Sequence, residues 1–190
     1  IVPLSWYDAG ARSFYFREEP AERLEDLKGK KIRVPESALL IDLMTALEAV
    51  PVPLAFDKVY SALETGQIDG AENNWPSYDS MGHDEVAPYF MVDEHMRIPE
   101  LQLMARSTWD ILPEEYRKVI VECARLSANY ERSVWKERVD ISRKRVIENG
   151  CQVFPLSDEE KQKFQAAVAP IYEKYCGDQM DLVEKIREVQ

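Results

Sequence analysis

Arg33 closes a short apolar run, Lys31-Ile32-Arg33-Val34, which Pro35 stops and a Ser37-led apolar stretch follows. In open α/β sheets ligands settle beyond the carboxyl ends of strands, and the free N–H groups of a helix N-terminus favour an anion there. A guanidinium at that point holds a carboxylate through two parallel hydrogen bonds, which lysine cannot do. Further along, Asp69-Gly70-Ala71-Glu72-Asn73-Asn74-Trp75 ends another strand-like run. If the two strands are neighbours, Asn73 comes out on the same rim, where its amide donates to a carboxylate and accepts from a hydroxyl. Phe56, at the end of the run between them, is expected to give an apolar wall, and Trp75 an indole wall. Plainer alternatives stand beside these: Arg33 as a surface arginine paired with Glu36 or another acid, and Trp75 as core packing.

Catalytic chemistry has no support in the sequence. There is no glycine-rich phosphate loop, no HExxH and no GxSxG. His83 and His95 lie among acidic neighbours and read as surface or hydrogen-bonding residues. No two carboxylates are placed for acid–base work. Cys123, Cys151 and Cys176 form no CxxC pair and have no histidine nearby, so zinc is not expected. They read as buried or half-buried free thiols, with one disulfide and a leftover thiol as the alternative. No catalytic residue, metal site or cofactor is expected.

The elements that must position the rim residues follow from periodicity and punctuation. Val2 to Tyr15 reads as strand, turn at Gly10, strand. A short helix is expected from Pro20 to Leu27, ending at Gly29. Lys31–Val34 is a strand, Ser37 to Val50 a buried helix with Ser37 as N-cap, and Val52 to Phe56 a second strand. Asp57 starts a helix through Glu64 with Gly66 as its left-handed cap, and Ile68 to Glu72 is a third strand. This alternation predicts a parallel sheet. Two further strands are expected at Tyr89–Arg97 and Glu100–Arg106. Pro113 opens a helical pattern that runs to Asn149 and closes at Gly150, with Tyr116, Ile120, Cys123, Tyr130, Val134 and Ile141 along one face. Such a rod is longer than a domain of this size is wide, so it projects or bridges two bodies. Cys151–Pro155 is a short strand, Ser157 caps a helix to about Tyr175, and an amphipathic helix follows Gly177.

The 190 residues carry a formal net charge of −11. That field repels nucleic acid and anionic membrane surfaces. It does not exclude a small anion, because salt screens beyond roughly 10 Å and a local arginine dominates a dry pocket. No apolar run is long enough to span a membrane. The Ile1-Val2-Pro3-Leu4 start lacks the basic leader and long apolar run of a secretory signal peptide.

The sequence resembles the solute-binding proteins of tripartite ATP-independent periplasmic (TRAP) transporters, the dicarboxylate-binding type. Trp6-Tyr7-Asp8-Ala9-Gly10-Ala11-Arg12, Asp26 to Pro35, Phe56 to Gly66 and Asp69 to Asn74 are similar to that family's motifs in the same order. The resemblance implies an α/β, periplasmic binding protein-like (type II) fold whose two lobes close on a ligand. This chain would supply the second lobe, with a parallel-rich sheet and a long interlobe helix. Residues 1–106 would form the ligand-binding lobe with its hinge-crossing strands, 107–150 the helix spanning the lobes, and 151–190 a strand and helices packed on them. By the same resemblance Arg33 clamps a carboxylate, Asn73 assists, Arg12 adds a charged contact, Phe56 is an aromatic wall and Glu36 touches the rest of the ligand. Some relatives bind a metal through the residue matching Glu72, but that use is not general, and none is expected here. Relatives begin with a signal peptide and most of a first lobe, so the chain would start near the crossover into the second.

The partners implied are a small organic acid and the membrane subunits of a TRAP transporter, with an extracytoplasmic location. Glu36, Asn73 and Asn74 suit hydroxyls, which favours a sugar acid such as a uronate, with a plain dicarboxylate as the neighbouring choice. A non-catalytic sensory or structural module that uses the long helix as a partner surface is the alternative from another class.

Overall fold

The computed structural model describes residues 1–188. Among them are eight strands: β1 (Val2–Tyr7), β2 (Ala11–Phe16), β3 (Lys31–Val34), β4 (Val50–Pro53), β5 (Gly70–Asn73), β6 (Tyr89–Arg97), β7 (Glu100–Met104) and β8 (Gln152–Pro155). β1 and β7 pair antiparallel in a sheet of their own, and the other six follow the order β4-β3-β5-β2-β6-β8. The pairs β3–β4, β3–β5 and β6–β8 are parallel, while β2 runs antiparallel to both β5 and β6. The expected parallel unit is therefore present, with β2 inserted against its inner edge. β4 is an edge strand, which is why it tolerates Pro51 and Pro53.

Helices cover both faces of the large sheet. α1 (Ala38–Ala46) and α7 (Asp158–Cys176) lie on one side, where Phe14, Phe16, Ile32, Val34, Leu43, Met44 and Phe164 form one buried cluster. α2 (Val59–Glu64), α3 (Trp75–Ser80) and α4 (His83–Val86) lie on the other, over Tyr15, Leu63, Ala71, Tyr78 and Phe90. Successive residues Phe14, Tyr15 and Phe16 thus alternate between the two cores, as the pleat requires. Gly70 has a local reason to be glycine, since a Cβ there would sit 2.6 Å from the Tyr15 carbonyl oxygen and 2.8 Å from the Phe16 ring.

Several boundaries differ from the sequence expectation. The second strand ends at Pro53, and Phe56 opens a one-turn 3-10 helix, Phe56–Lys58, ahead of α2. The helix after Ser37 stops at Ala46. α5 (Arg106–Ile111) is a separate short helix, and α6 (Glu114–Glu148) begins only after Pro113. α8 (Met180–Arg187) closes the described chain.

At about 1.5 Å per residue α6 is roughly 52 Å long. Its buried residues are Ala124, Ala128, Ser142 and Val146, whereas Tyr116, Tyr130, Val134 and Ile141 of the expected apolar face are exposed. The small side chains at 124 and 128 let the helix approach β1, and polar contacts fix it there. The Tyr7 and Ser127 hydroxyls are bonded, the Asp8 N–H donates to Glu131, and the Arg132 guanidinium donates to the Trp6 carbonyl. Cys123 is exposed, not buried, and all three cysteines are free.

Candidate functional site

Arg33 and Asn73 stand on one face of the sheet at the carboxyl ends of adjacent parallel strands. Arg33 is registered with Ala71, so Asn73, two residues on, points to the same side. Arg33 is only 4% exposed, yet it forms no ion pair among the described residues. Its Nε donates to the Leu54 carbonyl at 2.8 Å, which turns the fork and leaves both Nη nitrogens without a hydrogen-bond partner among the described residues. Phe56 backs it, with its ring centroid 5.7 Å from the guanidinium carbon. Burial, with a smaller push from Arg12, holds the Arg33 guanidinium below its ordinary pKa. It stays cationic at any physiological pH.

Asn73 is buried, and its Oδ1 accepts the Asn74 N–H at 2.9 Å. That bond orients the amide and leaves the Nδ2 donors free. Ser13, paired directly across from Asn73, is also buried, and its Oγ accepts the Glu94 N–H at 3.1 Å. Its hydroxyl proton is spare. Asn74 is used for structure: Oδ1 caps α3 through the Ser77 N–H, and Nδ2 donates to the Ala9 carbonyl, each at 2.8 Å. A cation with a free fork, an amide donor and a hydroxyl thus share one rim, beside a half-exposed phenyl ring. Such a set has the chemistry to receive a carboxylate and an adjacent hydroxyl.

The opposite face carries a charged network that sequence reading missed. Glu72 is fully buried, and Arg12 binds it through Nε at 2.5 Å and Nη2 at 2.9 Å. His95 lies behind them, with Nδ1 2.7 Å from Asp93 and Nε2 3.6 Å from Glu72. The imidazole stacks on Phe14 at a centroid distance of 4.3 Å. Burial pushes the His95 pKa down, but Asp93 and Glu72 outweigh it and lift the value to about 9. For Glu72, burial acts upward and is overcome by His95 and Arg12, so its pKa falls below the usual carboxylate range. His95 is therefore a cation held between two carboxylates, the hydrogen-bonding reading and not the surface one.

The structure brings Arg33, Asn73 and Phe56 together. It corrects the element for Phe56, which does not end a strand: β4 stops at Pro53 and Phe56 opens the 3-10 turn that follows. The Arg33–Glu36 pair does not form, and Glu36 is exposed beside the start of α1. Trp75 is not at the rim: it is buried, stacked on Phe90 at 3.7 Å, with the Arg143 guanidinium over its ring. Of its two readings, core packing is the one seen. Arg12 spends its charge on Glu72. His83, expected as a surface or hydrogen-bonding residue, is the second: it is fully buried and bonded to the Tyr15 hydroxyl at 2.8 Å. Ser13 was findable only from its register with Asn73, which a sequence pattern does not give.

Comparison with known proteins places this geometry in context. The family model described as bacterial extracellular solute-binding protein, family 7, matches residues 1–178. A solute-binding protein of Chromohalobacter salexigens is 36% identical over 190 residues, covering 100% of this chain and 56% of that protein. Two solved structures are similar throughout. One is a TRAP periplasmic solute-binding protein of a Bradyrhizobium species in complex with D-galacturonate, with a TM-score of 0.91, 41% identity and coverage of 98% of this chain and 62% of that one. The other is such a protein from Roseobacter denitrificans with bound β-D-glucuronate, with a TM-score of 0.88, 44% identity and coverage of 95% and 59%. The chain therefore spans somewhat over half the length of these relatives.

Proposed function

This chain belongs to the bacterial extracellular solute-binding proteins of family 7, and we propose that it is the ligand-gripping part of a TRAP solute-binding protein for a hexuronate. Arg33 holds the sugar carboxylate in a fork, Asn73 donates to the same group, Ser13 meets a neighbouring hydroxyl, and Phe56 covers one side. The observation that carries this reading is the buried Arg33, which has no ion-pair partner and no bond to either Nη nitrogen among the described residues. Most of the Arg33 side chain is out of water with no counter-ion among the described residues, which is unfavourable, and a ligand carboxylate reaching the Nη groups offsets that cost. A uronate fits better than a plain dicarboxylate because the second arginine, Arg12, is already neutralised by Glu72. The galacturonate and glucuronate in the similar structures favour the same class.

In this proposal the protein works outside the cytoplasm and hands its ligand to the transporter's membrane subunits. Residues 1–106 form the gripping lobe, α6 runs across to a first lobe, and the segment from 151 packs on the sheet. Apolar residues left bare on α6, such as Tyr116, Leu126 and Tyr130, are the surface such a lobe covers.

A thermal-shift screen of the full-length protein tests the reading. D-glucuronate and D-galacturonate should raise the melting temperature, with about 2.7 kcal/mol of added stability at a hundredfold excess over Kd. Glucose should not. No shift with any acid, or an equal shift with glucose, rejects it.

A further inference from the structure

His83 sits under the proposed rim with one ring nitrogen unused. Its Nδ1 is 2.8 Å from the Tyr15 hydroxyl, its Nε2 is buried without a partner among the described residues, and the ring is inaccessible to water. Tyr15 is two residues from Ser13 and in the same cross-strand row as Ala71 and Arg33, so all of these share one face. The Phe56 ring meets His83 edge-on at 5.9 Å, and Phe56 also backs Arg33 at 5.7 Å.

The tautomer follows from counting partners. The Tyr15 hydroxyl has no partner among the described residues besides Nδ1. If Nδ1 carried the proton, both the phenol proton and the Nε2 lone pair would be orphaned. If Tyr15 donates to Nδ1, only the Nε2–H is left over. One buried orphan costs less than two, at about 1–3 kcal/mol each, so the proton is on Nε2. Burial and the Arg33 charge keep the ring neutral, with its pKa lowered to about 4, and burial holds the Tyr15 phenol well above its ordinary range.

A buried donor left unpaired beside a cation with a free fork is a poor arrangement for stability alone. Tyr15 and Phe56 both pack on His83; Tyr15 is fixed in the core, whereas Phe56 is 39% exposed at the start of a one-turn helix. We propose that the Nε2–H of His83 is a further donor to the bound acid, reached when the Phe56 ring shifts off the imidazole to cover the ligand, and that Tyr15 is the positioning residue that sets its tautomer. The group it takes is an oxygen next to the Arg33-bound carboxylate, such as a ring oxygen or hydroxyl. This inference rests on the Arg33 clamp, and it adds a specificity element that a carboxylate alone does not need.

Long-range 1H–15N spectra of the labelled full-length protein, free and with D-glucuronate, test it. The free protein at neutral pH should show His83 protonated on Nε2, and D-glucuronate should move that proton downfield. His83→Gln keeps a donor near Nε2, while His83→Asn keeps only a partner for Tyr15. By calorimetry the asparagine variant should bind D-glucuronate about tenfold more weakly, the value of one hydrogen bond, and the glutamine variant should recover most of that. Tyr15→Phe should give a tautomer mixture and a partial loss. A proton on Nδ1, an unmoved Nε2–H signal, or equal losses in the two His83 variants would overturn the inference. Arg33→Lys is the separate arm: unchanged affinity there defeats the clamp itself, whereas a loss there with a silent His83 defeats only this inference.

Discussion

The two histidines of the chain should titrate on opposite sides of neutrality, and stability should follow them. His95 is buried between Asp93 and Glu72, with a folded pKa of about 9 against an unfolded value near 6.5. Its pKa is raised, so its contribution is complete below about pH 6.5 and is lost as pH rises through about 9. The difference corresponds to on the order of 3 kcal/mol. His83 is the reverse case, with a folded pKa of about 4. Its contribution is present above about pH 6.5 and is lost as pH falls towards 4, again by on the order of 3 kcal/mol. Stability should peak near pH 6.5 and decline on both sides. The assay is an NMR titration of the ring protons, alongside urea midpoints at closely spaced pH values. His95→Gln should flatten the alkaline limb and leave the acid limb. Two histidines titrating together near pH 6.5, or stability that is flat between pH 6.5 and 9, would refute the reasoning.

Glu72→Gln removes the carboxylate that neutralises Arg12 and His95, and should destabilise by about 3–5 kcal/mol, read as a lower urea midpoint with an unchanged slope. Gly70→Ala drives a methyl into the Tyr15 carbonyl and the Phe16 ring, and should cost about 2 kcal/mol or more by the same assay. Asn74→Ala loses the α3 cap and the tie to Ala9, which should cost about 2 kcal/mol and speed amide exchange at Ser77.

The parts of the site that could be read from the sequence are those that depend on one strand and its next turn. Arg33 and Asn73 end β3 and β5, and short parallel units put such ends together whatever the remaining topology. The Arg12–Glu72–His95–Asp93 network depends on the register of β2 against both β5 and β6, which no local pattern encodes. For His83 and His95 the acidic neighbours in sequence left surface and hydrogen-bonding readings both open, because those acids include the buried partner of one and say nothing of the other. α6 misled for a related reason: hydrophobic periodicity picks out large residues, whereas close approach to β1 is made by Ala124 and Ala128. Phe56 reached the rim by a route the pattern did not give, since Pro53 ends its strand and a 3-10 turn carries the ring back over Arg33.

A crystal structure of the full-length protein with D-glucuronate puts the central claim to the most direct test. The sugar carboxylate should lie in the plane of the Arg33 fork, at about 2.9 Å from Nη1 and Nη2, with the Asn73 Nδ2 donating to one of its oxygens. A carboxylate bound away from Arg33, with that guanidinium still unpaired beneath it, would contradict the account.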